Sequence, residues 1–213
     1  MRKVTILDYG LGNILSVVRA AEKINCSVLV ARSSNELTHN GPIIIPGVGA
    51  FPEAMRRIDK LGLRDKLTCA AELGIPILGI CLGMQLLFAR GEEHVESTGL
   101  NLIPGSVVQL PSQSSAGERL RIPSVGWRQV FYIDRSPTSA LPQTREFVDG
   151  HSFYFVHSYH VIPTYSNHLV ASYRRGEKNV AAIVNRDNVW GVQFHPEKSG
   201  RTGLMFLDFF IRS

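Results

Sequence analysis

Two short segments carry residue types that do chemistry together. In Gly79-Ile80-Cys81-Leu82-Gly83 a cysteine stands between two glycines, directly after the apolar run PILGI (76–80) and at the head of LGMQLLFA (82–89), which has helical spacing. This is the layout of the strand-turn-helix elbow that presents a nucleophile, with cysteine in the serine position. Such a turn holds its nucleophile in strained backbone geometry, and larger side chains on either flank would collide with the neighbouring strand and helix. The unpaired amides at the helix start favour a thiolate and offer donors to a developing oxyanion, the Leu82 N–H first. A lone cysteine between a strand and a helix is more often a small buried hydrophobe, but the paired glycines reverse that weighting.

The second segment is Gly191-Val192-Gln193-Phe194-His195-Pro196-Glu197. It sets a histidine at the end of an apolar run, with a carboxylate two residues on and a proline fixing one backbone angle between them. A cysteine nucleophile needs a histidine to pair with the thiol and later protonate the leaving group, and a carboxylate to hold the imidazole in one tautomer. By itself H-P-E says little, because a strand-end histidine is more often structural or solvent-facing. Behind an elbow, in the order Cys81, His195, Glu197, it reads as the base and the orienting acid of a triad.

Other candidates carry less. Three cysteines make no disulfide framework and match no zinc spacing, and Cys26 and Cys69 lack flanking glycines, so both read as packing residues. His157 and His160 have the spacing of a weak metal pair without acidic or cysteine partners close by, so no metal is expected; the histidines other than His195 should pack or face solvent. Pro46-Gly47-Val48-Gly49 lacks the Gly-Lys-Ser/Thr ending of a P-loop. Gly10-Leu11-Gly12 has Leu15 where a dinucleotide fingerprint needs its third glycine, so no nicotinamide cofactor is expected. The better use of Pro46 to Gly49 is a flexible strand near Cys81 whose peptide supplies a second oxyanion donor.

The elements that must position these residues follow from periodicity. VTILDY (4–9), SVLVA (27–31), PIIIP (42–46) and PILGI (76–80) are short apolar runs separated by helix-period segments, the pattern of parallel strands joined by crossover helices. The first helix should start after Asn13, a suitable N-cap, and one or two helices should lie between Pro52 and Leu73. From Asn101 to Gln143 the chain is richer in Ser, Pro and Gly, with SVVQL and WRQVFYI as antiparallel additions and 111–121 as a mobile loop. FYFVHSYHV, HLVASY, VAAIV and NVWGVQF then read as strands, with a closing helix from about Gly200. The expected fold is α/β: an open, mostly parallel sheet with flanking helices and antiparallel additions, in one domain spanning 1–213. Sites in such sheets lie at the carboxyl ends of strands, where both chemical segments fall.

Composition bounds the function. A hydrophobic share of 44% and a charged share of 19% suit a globular protein, and the longest nearly apolar run, Ile75 to Ala89, falls short of a membrane span. The N-terminus meets Asp8 too early for a secretory signal, so a cytoplasmic location is expected. The net charge of +5 comes as scattered pairs, Arg56 with Arg57 and Arg174 with Arg175, without a nucleic-acid module; it fits solubility or an acidic partner face.

Taken together, DYGLGN (8–13), IPGVGAF (45–51), GICLGMQLLF (79–88), IPGSV (103–107), VGW (125–127), FYFVHSYHV (153–161) and GVQFHPEKSG (191–200) resemble the class I glutamine amidotransferases, flavodoxin-like in fold. Within them the likeness is to the glutaminase subunits of imidazole glycerol phosphate synthase, and it covers essentially the whole chain. The resemblance implies hydrolysis of L-glutamine by Cys81, His195 and Glu197, with no metal or cofactor. It implies Leu82 and the Val48–Gly49 peptide as oxyanion donors, and Gly49, Gln85, Ser158 and Tyr159 as glutamine contacts. It implies a heterodimer with a (β/α)8 cyclase that receives the ammonia for histidine synthesis, faced by Asn13, Trp127 and Lys198. Two features depart from the family pattern on the docking side: Arg128 stands where asparagine is usual, and the Gln109 to Arg121 loop is longer and more polar. Rival readings are a paralogue feeding another synthase, a peptide- or γ-glutamyl-directed cysteine hydrolase, and a regulatory subunit with a dead site.

Overall fold

A computed structural model describes residues 2–38, 40–133 and 142–212; His39 lies outside the described residues. The first half runs β1 (Arg2–Leu7), α1 (Ile14–Lys23), β2 (Cys26–Ala31), β3 (Ile43–Gly47), α2 (Phe51–Lys60), α3 (Leu63–Glu72), β4 (Ile77–Cys81) and α4 (Leu82–Leu86). The middle holds β5 (Phe88–Gly91), β6 (Ser97–Thr98), β7 (Ile103–Gln109), β8 (Ser124–Tyr132) and α5 (Pro142–Val148). The rest is β9 (Ser152–His157), β10 (Tyr159–Pro163), β11 (Leu169–Arg175), β12 (Lys178–Arg186), β13 (Val189–Val192) and α6 (Gly200–Arg212).

The main sheet has nine strands in the order β2-β1-β3-β4-β13-β12-β11-β8-β9. From β2 to β13 neighbours run parallel, and from β13 to β9 they alternate antiparallel. Alternation sends each strand's side chains to two layers. Ile44, Leu78 and Ile80 join α1 and α6 on one face, against Val17, Ala21, Phe206 and Phe210. Ile43, Ile45 and Ile77 join α2 and α3 on the other, against Phe51, Ile58, Leu63 and Leu67. Strands covered on both faces are apolar throughout, which is why β3 and β4 read as unbroken hydrophobic runs.

Three expectations are corrected. LGMQLLFA does not continue as a helix: α4 ends at Leu86, and Phe88–Gly91 becomes β5 of a second sheet ordered β10-β7-β5-β6. Ladder bonds to β7 and burial of Phe88 outweigh the helical spacing. FYFVHSYHV is not one strand but two, β9 in the main sheet and β10 in the small one, with the chain leaving at Ser158. Cys69 is exposed rather than packed, because the buried stripe of α3 runs through Leu63, Leu67 and Ala70 and misses it. The segment 111–121 folds into a turn in which Gln113 bridges Arg119, and the Arg175 guanidinium donates to the Pro111 and Arg121 carbonyls at 3.3 and 2.6 Å.

Candidate active site

Strand β13 lies parallel to β4 with Val192 beside Ile80, so the residues just past each strand emerge together at the carboxyl edge. Cys81 ends β4 at φ 55°, ψ −109°, a conformation that L-residues rarely adopt. The close approach that this turn needs is visible at its glycines: a Cβ on Gly79 would strike the Gly83 backbone, and one on Gly83 would strike the Ile45 carbonyl. Because α4 has only five residues, its first-turn amides rather than a long macrodipole are what the elbow offers the sulfur. The thiol lies 3.8 Å from the Val156 carbonyl and receives the Gln193 side-chain N–H at 3.6 Å.

His195 is held from every side. Its backbone N–H donates to Tyr154 O at 2.9 Å, its carbonyl accepts from Ser199 Oγ at 2.7 Å, and its Nδ1 meets Glu197 Oε1 at 2.8 Å. The Glu197 carboxylate only accepts, so at neutral pH Nδ1 carries a proton and Nε2 is the nitrogen turned to other work. Nε2 is buried and makes no hydrogen bond within the usual distance, yet the Cys81 thiol is near enough to influence its charge. Burial opposes the imidazolium, but the interactions with Cys81 and then Glu197 outweigh it and raise the His195 pKa to about 10. The arrangement therefore favours the imidazolium form of His195 beside the sulfur.

In front of the sulfur opens a cavity of about 320 Å³ lined by Cys81, Gly49, Gln85, Glu93, Ser158 and Tyr159 among others. That is at the small end of ligand sites, which run from about 300 to 1,000 Å³. Gln85 donates through Nε2 to Tyr159 O at 3.1 Å and to Gln193 Oε1 at 3.2 Å, which leaves its own Oε1 for a ligand. Gly49 sits at φ 113° beside the exposed Val48, and neither backbone N–H donates a hydrogen bond among the described residues. Beneath this strand the Tyr9 hydroxyl is buried without a hydrogen-bond partner, and a Cβ on Gly47 would overlap it. Burial first, then the Cys81 charge, pushes the Tyr9 pKa far up, so its proton stays on.

A profile of the family "Glutamine amidotransferase class-I" matches residues 5–212. The chain is a class I glutamine amidotransferase. It is 41% identical over 211 residues to the imidazole glycerol phosphate synthase subunit HisH of Geobacillus thermodenitrificans, covering 99% of this chain and 96% of that one. The HisH of Bacillus licheniformis is 44% identical over 97% of this chain and 94% of its own length. The amidotransferase thus belongs with the HisH subunits. In fold it matches a solved glutamine amidotransferase at TM-score 0.72 and 17% identity (98% of this chain, 97% of that one), and PurLQS from Thermotoga maritima at 0.72 and 19% (100% and 99%).

Cys81, Val48, Gly49, Leu82, Gln85, Ser158 and Tyr159 line the cavity, while His195 adjoins the sulfur and Glu197 stands behind the His195 ring. Asn13, Trp127 and Lys198 are instead on the outside: Asn13 caps α1 by accepting the Ser16 N–H at 3.3 Å, Trp127 is 54% exposed, and Lys198 is exposed. Sequence reasoning missed Glu93, Gln193 and Tyr9. The position of Gln193, two residues before His195, puts it on the same side of the emerging strand and could have flagged it. Glu93 has no such signal: it reaches the cavity only because Phe51 N–H binds its carboxylate at 2.7 Å across the fold.

No group of three or more His, Cys, Asp or Glu fit to hold a metal ion occurs among the described residues. His157 bridges Tyr159 O at 2.8 Å and Tyr173 Oη at 2.9 Å, so it is a structural link between β9, β10 and β11. Burial drives the pKa of both His157 and His160 down to about 4. An unfolded histidine titrates near 6.5, so between these values the unfolded chain binds more protons. His157 and His160 should therefore cost no stability above pH 6.5 and an increasing amount as pH falls toward 4, about 3 kcal/mol for His157 alone. Urea titrations at both ends of that window test this: His157→Gln should lose distinctly less than the parent, whatever its starting stability. An equal loss would mean that His157 does not stay neutral.

Proposed function

We propose that the chain hydrolyses L-glutamine to glutamate and ammonia and hands the ammonia to a (β/α)8 cyclase subunit, which uses it to form imidazole glycerol phosphate in histidine synthesis. The observation that carries this reading is the Cys81 sulfur at the floor of a cavity sized for one small amino acid, backed by His195 and Glu197. The Cys81 thiolate adds to the side-chain amide carbon, and the Leu82 and Val48–Gly49 amides receive the oxyanion. His195 gives its Nε2 proton to the departing ammonia, then takes one from the water that cleaves the γ-glutamyl thioester. Glu197 keeps the ring in register through both steps. Gln85 Oε1, the Glu93 carboxylate and the Ser158–Tyr159 backbone grip the amino-acid end of the substrate.

Ammonia in free water near neutral pH is mostly protonated and no longer nucleophilic, which calls for direct delivery. The surface offers apolar side chains to a docked partner: Val48 at the cavity is exposed, as are Leu15, Val125 and Trp127, and Lys198 is an exposed cation. One continuous sheet holding strands from β1 to β13 supports a single domain over the whole chain. The cytoplasm is the proposed location; no described helix is long and apolar enough to cross a membrane. The test is glutamate release by the chain alone, with the cyclase, and with cyclase plus its nucleotide substrate. Slow turnover alone and stimulation of at least about a hundredfold in the loaded complex is the expected result. Failure to bind the cyclase would redirect the ammonia to another synthase, and full activity alone would point to a free-standing hydrolase.

A further inference from the structure

Gln193 is wholly buried, yet its side chain is the donor that reaches the reactive sulfur, Nε2 to Cys81 Sγ at 3.6 Å. Which end of that amide faces the thiol is decided elsewhere, by an atom that has no choice. The Tyr159 carbonyl only accepts, so the Gln85 group 3.1 Å from it must be NH2. His157 Nδ1 meets the same carbonyl at 2.8 Å and must likewise be the protonated nitrogen, so two donors pin that oxygen. The second hydrogen of Gln85 Nε2 then points to Gln193 at 3.2 Å, which has to offer its oxygen. With Oε1 so engaged, Nε2 of Gln193 is turned onto the sulfur.

We propose that Gln193 is a further catalytic residue of this site, a neutral N–H donor that stabilises the Cys81 thiolate and whose polarity is set through Gln85 by the Tyr159 carbonyl. The sulfur's other near neighbour, the Val156 carbonyl at 3.8 Å, suits a thiol proton and repels a thiolate. His195 stands near the sulfur without a hydrogen bond to it, so Gln193, from the same emerging segment, is the side-chain donor that compensates. A hydrogen bond to the charged form favours that form. The amide also fixes the direction of the sulfur lone pairs without bringing a charge that would compete with the imidazolium. The inference rests on Cys81 being the nucleophile, and its test uses a reaction that needs no glutamine.

The measurement is the rate at which iodoacetamide alkylates Cys81 as a function of pH, followed on the Cys81 peptide so that Cys26 and Cys69 do not contribute. Gln193→Met keeps the length and removes the donor. Gln193→Glu keeps the acceptor toward Gln85 and turns an anionic oxygen on the sulfur. The other titratable groups around the thiol stay in place in both: His195 with Glu197 behind it, Tyr9 from the end of β1, His157 from the end of β9, and Glu93. The half-maximal pH of alkylation should rise by about one to two pH units in the Met variant, the worth of a hydrogen bond to a charged group, and further in the Glu variant. Glutamate release near neutral pH should fall about tenfold or more and recover as pH is raised. A merely structural glutamine would leave the alkylation profile in place. If neither variant folds, the side-chain 15N–1H signals of Gln193 in the parent chain decide: they should move as Cys81 ionises, and pH-invariant signals would overturn the proposal. An unmoved alkylation profile with intact glutaminase activity removes Gln193 alone, whereas glutaminase activity in Cys81→Ala removes the nucleophile assignment itself.

Discussion

Cys81→Ala should reduce glutamate release by at least about a thousandfold, because the residues of a triad act as a unit and no other group in the cavity can form the thioester. The fold should survive. Alanine meets the same positive-φ strain as cysteine, and the deleted sulfur faces the cavity on one side, so the cost in stability is about 1 kcal/mol. Binding to the partner should be unchanged, since Cys81 is 6% exposed and offers almost no surface to a docked chain. The check is to measure turnover, melting temperature and complex formation on the same preparation. Loss of turnover with the other two retained is the expected pattern; more than a few per cent residual activity, reading that threshold from triad knock-outs, would mean that the nucleophile lies elsewhere.

Gly49→Val should leave the complex assembled but lower its stimulated glutaminase rate by about a hundredfold to a thousandfold, the usual worth of one oxyanion donor. Gly49 has φ 113°, and the nearest atom to a built Cβ is Leu11 Cδ2 at 3.8 Å, so there is room for a side chain but not for its backbone preference. A β-branched residue would swing the Val48–Gly49 peptide toward an ordinary β conformation and turn its N–H away from the oxyanion position. The effect is therefore on backbone conformation rather than on packing, and Gly49→Ala should fall between the parent and the valine variant. Glutamate release in the partner-loaded state, with complex formation followed in parallel, reads this directly. A near-parental rate in the valine variant would remove the Val48–Gly49 peptide from the oxyanion site and leave Leu82 as its donor.

What could be read from the chain divides along a physical line. Motifs whose residues are neighbours in sequence were legible, because their geometry is local: G-x-C-x-G demands a tight strand-to-helix turn, and H-P-E sets a carboxylate within reach of an imidazole. Both-face burial of β3 and β4 was legible as unbroken apolar runs. The end of α4 was not, because LGMQLLFA keeps its helical spacing and only a ladder to β7, which pairs Phe88 with Ile103 and Gly91 with Val107, makes Phe88–Gly91 a strand. The break at Ser158 was missed for the same reason: nothing in FYFVHSYHV says that its halves belong to different sheets.

The sequence alone thus determined the family, and it singled out Cys81, His195 and Glu197 as the candidate nucleophile, base and acid. Tertiary structure decided the rest, since it depends on groups that meet across the fold. It brings Gln193 to Cys81 from a separate strand, turns its amide by way of Gln85 and the Tyr159 carbonyl, carries Glu93 to the cavity on the Phe51 N–H, and sets the Tyr9 hydroxyl under Gly47. Hydrogen-bond direction is not a property of one residue: an amide can face either way until a carbonyl that can only accept makes the choice, and that carbonyl sits on another strand.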